Sequence, residues 1–280
     1  MNKILIPVDF SERSDYAYNL AEHLAEKCNA KIDLISIVPG PQGMYYDEMG
    51  NIQEDEGVDL SPFESKQSEV RTKMNDWIKD KRRIGSTFVK IGNIEKDIQY
   101  YAEHNGIDLI VMGTEGSIDN SWFGGTHTQH ISNHTSVPVL SLKCDRTDIN
   151  LEKILLVSDF LESMPLDLSM LKDIQHSFQS KIVLLFVRTV GVKETNDDIL
   201  MRMADFVKRN ELIHVEYQIH EDKAVESGIG KFAAMENIDL IAMGTHQKTG
   251  FSKLFRTNIS DDVINHMYHP ILTFPIREKD

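Results

Sequence analysis

The chain has 280 residues, with 30 Lys plus Arg against 44 Asp plus Glu, a formal net charge of -14 and a hydrophobic fraction of 41%. That length exceeds the usual ~100–200 residues of one domain and suggests two, while the acidic balance opposes nucleic-acid backbones and anionic lipid, so neither nucleic acid nor membrane is expected as a partner. Cys28 and Cys144 support neither a disulfide scaffold nor a four-cysteine zinc site, and with no signal-peptide pattern and no run of roughly 18 apolar residues a cytoplasmic protein is expected.

The first expected element is a strand at 3–8, inside NKILIPVDFSE. A helix at 13–28 follows, because Ala17, Leu20, Ala21, Leu24, Ala25 and Cys28 recur at helical spacing, which assigns Cys28 to the core rather than to chemistry. A strand at 31–38 leads into a Gly-, Pro- and acid-rich stretch containing Tyr45 and Tyr46, read as a long surface loop at 39–64. It suits a tolerated insertion, a cover over a cleft or a partner contact. Beyond it come a helix at 65–83, a strand at 86–91, a helix at 94–105 and a strand at 108–112. A glycine-bearing segment, a helix at 127–134 and a strand at 137–142 complete the half. The runs ILIPV, DLIVM and VPVL are almost continuously apolar, as strands buried on both faces are. Helix-length crossovers between them imply a parallel sheet covered by helices on both sides.

The second half repeats the first. EKILLVSDFLE at 152–162 matches NKILIPVDFSE at 2–12, and KIVLLFVR at 181–188 matches KIDLISIV at 31–38, both at an offset of 150. NIDLIAMGT at 237–245 matches GIDLIVMGT at 106–114 at an offset of 131, so the first copy carries a net excess of 19 residues, assigned to its long loop. Strands are expected near 153–158, 181–188, 213–219, 239–243 and 270–274. Two α/β domains follow, 1–145 and 150–280, joined by a short polar link and packed against each other.

Ligands of open parallel sheets favour the crevice beyond the carboxyl ends of the strands, where strand order reverses. Asp9 and Asp159 stand at the ends of the two first strands, where a carboxylate can accept from an amino group or a ribose hydroxyl, or order the start of the next helix. GTEGSIDNSWFGGTH at 113–127 lies between a buried strand and a helix. Its glycines permit a tight turn, and the following helix start favours a phosphate; turn geometry without a ligand explains them too. It is neither a Walker motif nor a dinucleotide fingerprint. His127, His130 and His134 share a helix face, which suits polar interface histidines better than a metal site. No metal is expected. Ser11 lacks the G-x-S-x-G setting and no acid–base pair follows from spacing, so no catalytic residue is assigned.

PVDFS at 7–11, VMGT at 111–114 and the glycine segment ahead of VPVL at 137–140 make the chain resemble a tandem universal stress protein, UspA-like, over nearly its whole length. The resemblance implies Rossmann-like (adenine nucleotide alpha hydrolase-like) domains, each a five-stranded parallel sheet of order 3-2-1-4-5, paired through their last strands. It further implies an ATP- or AMP-binding stress-response protein, with Mg²⁺ compensating Glu115 and Asp119 near the phosphates. Carried over, Asp9 matches the adenosine-contacting acid, Ile37 and Met112 flank the nucleotide, and Gly113, Gly116, Gly125 and Thr126 match the phosphate-loop pattern, one residue short between Gly116 and Gly125. In the second copy Asp159, Val187 and Gly244 match, with His246 beside them. Gln247, Thr257 and Asn258 stand where glycines and a hydroxyl are usual, so the second site is expected to carry a degenerate phosphate loop. His246, Lys248, Lys253 and Arg256 make that segment locally basic, which suits another anion, a contact with acidic residues or a solvated cluster. The expected function is an adenine-nucleotide sensor or regulator using the first-half cleft, with at most weak ATP hydrolysis, an unidentified protein partner and a homodimer as further partners. The rivals are a nucleotide-independent scaffold and a module for another metabolite, lipid or metal.

Overall fold

The computed structural model describes residues 1–41, 59–114, 125–146, 149–161, 166–246 and 269–276. The first half runs β1 (Lys3–Pro7), α1 (Glu12–Cys28), β2 (Lys31–Pro39), α2 (Ser61–Trp77), β3 (Ile84–Gly92), α3 (Ile94–His104), β4 (Leu109–Gly113), α4 (Gly125–His134) and β5 (Val139–Leu142). The second runs β6 (Lys153–Val157), α5 (Ser169–Phe178), β7 (Lys181–Arg188), α6 (Asn196–Arg209), β8 (Val215–Glu221), α7 (Val225–Met235), β9 (Leu240–His246) and β10 (Ile271–Ile276). Residues 42–58 of the long loop lie outside the described residues, as do residues 247–268 of the basic segment.

The ten strands among the described residues form one sheet of order β3-β2-β1-β4-β5-β10-β9-β6-β7-β8. Each half therefore has the order 3-2-1-4-5, with every pairing inside a half parallel. The halves meet where β5 and β10 pair antiparallel, Leu140 opposite Leu272. This is the expected last-strand junction, and it uses up both edges there. On one face a single core runs across the junction, from Leu20 and Leu24 of α1 through Leu140 and Leu272 to Phe206 of α6. On the other face the core divides, one part under α3 and α4 and one under α7.

The repeat extends to backbone geometry. Phe10 and Phe160 are both left-handed, at φ 63° and 58°, and so are Asn29 and Gln179 after the first helix of each half, at 55° and 56°. A bulky residue pays for that conformation, about 1 kcal/mol or more, and holds it only when packing over-determines it. Here the Phe10 ring meets Trp77 edge-on at 6.3 Å and Phe160 meets Phe206 at 5.1 Å. Both copies thus turn sharply between the first strand and its helix.

Three expectations need correction. The helix expected at 65–83 is α2, which starts earlier, where Pro62 suits a first turn, and stops at Trp77, well before left-handed Arg83, the residue preceding β3. Strand β3 is longer than 86–91 and irregular against β2 near Asp33, whose Oδ1 takes the Ser86 N–H at 2.8 Å. Cys28 is half-buried, not core: the last turn of α1 reaches α5, and Sγ lies 3.2 Å from Ser177 Oγ. Among the described residues no helix is long and apolar enough to cross a membrane.

Candidate functional site

Strand order reverses in the first half between β1 and β4, which fixes where a crevice opens. From β1, Val8 N–H still bonds Ile35 O at 2.8 Å, and then left-handed Phe10 swings the chain into α1. Asp9 sits at that corner. Its Oδ1 accepts from Ser11 N at 3.0 Å, Ser11 Oγ at 2.6 Å and Ser14 Oγ at 2.6 Å, while Asp9 N–H donates to Ser14 Oγ at 3.0 Å. These bonds fix the carboxylate without capping a backbone N–H in the first turn of α1, since Ser11 is the N-cap and makes no side-chain cap bond. All three acceptances fall on Oδ1, so Oδ2 is the oxygen left for a ligand among the described partners.

Across the crevice β4 ends at Gly113, and Thr114 N–H bonds Leu142 O at 2.8 Å. A Cβ on Gly113 would fall on the Arg13 carbonyl oxygen and 2.7 Å from Arg13 Cβ. The glycine is demanded by the first turn of α1 lying against the end of β4, so its close approach is to the protein's own backbone. Ile37 and Met112 are fully buried among Leu5, Ile98 and Ile131. Their side chains are core, and only their main chain can meet a ligand. Gly125 and Thr126 open α4, whose first N–H groups lack intrahelical partners and favour an anion. Gly116 lies outside the described residues.

One group was not found from sequence. Glu95, in the first turn of α3, takes His127 Nδ1 on Oε1 at 2.9 Å and His130 Nδ1 on Oε2 at 2.8 Å. The i, i+3 histidines were visible, but nothing local in the sequence marks a carboxylate 32 residues earlier as their partner. His134 packs its ring 4.1 Å from that of His130 and bonds the His130 carbonyl at 2.8 Å. Among the described residues no group of three or more His, Cys, Asp or Glu is arranged to hold a metal ion.

A second, buried carboxylate lies by the carboxyl end of each edge strand, β3 and β8. Asp97 of α3 is buried, pairs with Lys90 at 2.8 Å, and occupies the space that a Cβ on Gly92 would take. In the second half the strand end carries Asp222 and the helix carries Gly228, the reverse arrangement, with Asp222 paired to Lys231 at 2.6 Å. That hydrogen bond to Lys231, helped by the N–H groups of Lys223 and Ala224, holds the Asp222 carboxyl down at about 2.

The rest of the second-half site is poorer. Asp159 is exposed and, among the described residues, accepts from Leu161 N at 3.1 Å; in sequence, Leu161 and Met164 take the places of the hydroxyl-bearing Ser11 and Ser14. Val187 is buried under α7, where a Cβ on Gly228 would come within 2.5 Å of its Cγ1. Gly244 and His246 belong to β9. Asn258 lies outside the described residues.

The family model described as the universal stress protein family matches residues 1–143 and again 150–275. Universal stress protein G of Shigella flexneri, and that of Escherichia coli O157:H7, are each 24% identical over 147 residues, half of this chain but 97% of theirs. A universal stress protein from Archaeoglobus fulgidus has a similar fold along the whole chain, with a TM-score of 0.70 at 17% identity, covering 100% of this chain and 98% of its own. A functionally unknown protein from Pseudomonas aeruginosa PAO1 superposes with a TM-score of 0.61 at 14% identity, over 99% of this chain and 93% of its own.

Proposed function

The chain belongs to the universal stress protein family, and on that premise we propose that it is an adenine-nucleotide-binding regulator whose ligand occupies the first-half crevice. The observation that carries this reading is Asp9: three donors lock Oδ1, which holds the carboxylate at the mouth with Oδ2 left to accept a ribose hydroxyl. The base would lie against the main chain at the end of β2 near Ile37. The phosphates of ATP or AMP would meet the first turn of α4 at Gly125 and Thr126, with Mg²⁺ offsetting nearby acidic charge. The second half keeps the aspartate but has lost the hydroxyls that hold it, so one nucleotide per chain is proposed.

The role is binding, not turnover, and the second half acts as a built-in partner across β5 and β10, where a second copy would otherwise pair. Calorimetric titration of ligand-stripped protein with ATP and Mg²⁺ tests this. One event per chain is expected, weakened about tenfold by Asp9→Asn, which keeps the Oδ1 acceptor but loses a charged hydrogen bond. Equal affinities for the parent chain and Asp9→Asn would overturn the placement of the ligand.

A further inference from the structure

The bridge from Glu95 to His127 and His130 stands beside the proposed phosphate site, because His127 lies in the first turn of α4, next to Thr126. Both oxygens of one carboxylate are engaged, each by the Nδ1 of a different imidazole. Nε2 of His127 makes no hydrogen bond to a described residue. With both rings neutral the three groups carry one net negative charge at the helix end where the phosphates would sit. Protonating both rings reverses it to one net positive charge, and His127 Nε2 changes from an acceptor to an N–H donor.

Among the described residues few other charges face the bridge. Helix α4 packs against α3, β5, β9 and β10. Strands β5 and β10 carry no ionisable residue, and His246 is the one ionisable residue of β9. On α3, Asp97 is paired with Lys90, Glu103 accepts from Ser136 N, His104 bonds its own helix at Tyr100 O, and Lys96 is exposed. On α4 itself the remaining titratable group is His134, whose ring meets that of His130 edge-on. Glu226 stands at the position of Glu95 in the second half, yet the residues at the places of His127 and His130 are Ile259 and Asp262. The paired imidazoles belong only to the half with the glycines.

We propose that the Glu95–His127–His130 bridge is a proton-controlled part of the first-half phosphate site, so that acidification from pH 8 to pH 6 strengthens nucleotide binding there. The inference rests on the nucleotide reading above. Its test is calorimetry with ATP and Mg²⁺ at pH 8 and pH 6 on the parent chain, His127→Gln and Glu95→Gln. Protonation of the nucleotide's own phosphate is common to all three and cancels in ratios of affinity. The parent-to-His127→Gln affinity ratio should grow about three- to fivefold from pH 8 to pH 6, the scale of one partly exposed charge at a helix N-terminus. Glu95→Gln should bind about twofold to threefold more tightly than the parent at pH 8, a gain that a merely damaged fold would not give. ATP binding with a flat His127→Gln ratio and no gain in Glu95→Gln overturns this inference alone. Absence of ATP binding to the parent chain at both pH values removes the nucleotide reading and the inference with it.

Discussion

The reversed carboxylates by the carboxyl ends of β3 and β8 can be exchanged by design. Gly92→Asp alone would drive its Cβ into Asp97, 3.0 Å from Cγ, and bring a second carboxylate against a buried one. The pair with Lys90 at 2.8 Å would then break. Removing a partner from a buried pair costs about 3–5 kcal/mol, and the one-third exposure of Lys90 places this case near 3. Asp97→Gly alone should cost about 2–3 kcal/mol, about 1 from a glycine inside a helix and the rest from the pair, whose loss costs less here because the partner left behind is the one-third-exposed, still hydrated Lys90. The double variant rebuilds in the first half what Asp222 and Gly228 already form in the second, with Lys90 two residues along the strand from the new carboxylate. It should cost only about 1 kcal/mol, the glycine in α3. Urea unfolding, read as midpoints at unchanged slope, measures all three. Costs that simply add, leaving the double variant near 5 kcal/mol below the parent, would refute the equivalence of the two arrangements.

Other expectations share the same logic. Asp33 accepts from Tyr101 OH at 3.0 Å and Ser86 N at 2.8 Å, while the second half has Val183 and Phe232 at the places of Asp33 and Tyr101; Tyr101→Phe should cost about 1–3 kcal/mol, and adding Asp33→Val should recover part of that loss in the same unfolding assay. Gly113→Ala should lower stability by about 1–3 kcal/mol with or without nucleotide, because its Cβ meets Arg13 and not a ligand; a stable variant that only loses binding would contradict this. Asp222 is held at about 2, below its unfolded value of 3.8, so its contribution is complete above 3.8 and disappears as pH falls toward 2. Asp222→Asn should flatten stability against pH in that window, and an unchanged acid profile would count against the Lys231 pair.

Much of the fold could be read from the residues because apolar runs and their repetition are local signals. KILIP and KILLV, at the same offset of 150 as KIDLISIV and KIVLLFVR, imply two copies of one parallel unit, and β5–β10 pairing follows from the family resemblance. Helix ends were harder: nothing apolar distinguishes Ile78 to Arg83 from the turn before, and the left-handed Arg83 is set by how α2 meets β3. The site was legible only where its residues adjoin a strand end, as Asp9 does. Ile37 and Met112 matched by position, but strand alternation turns their side chains into the core. Gly113 matched a phosphate pattern while answering to Arg13. Glu95 stayed hidden because its contact with His127 is made by packing of α3 on α4, which no sequence spacing records.

The most direct test of a single first-half nucleotide site is a crystal structure of the chain grown with ADP or a non-hydrolysable ATP analogue and Mg²⁺. The account predicts one nucleotide per chain, with its ribose on Asp9 and its phosphates at the start of α4, and none beside Asp159. Nucleotide seated beside Asp159 while the Asp9 crevice stays empty would contradict it.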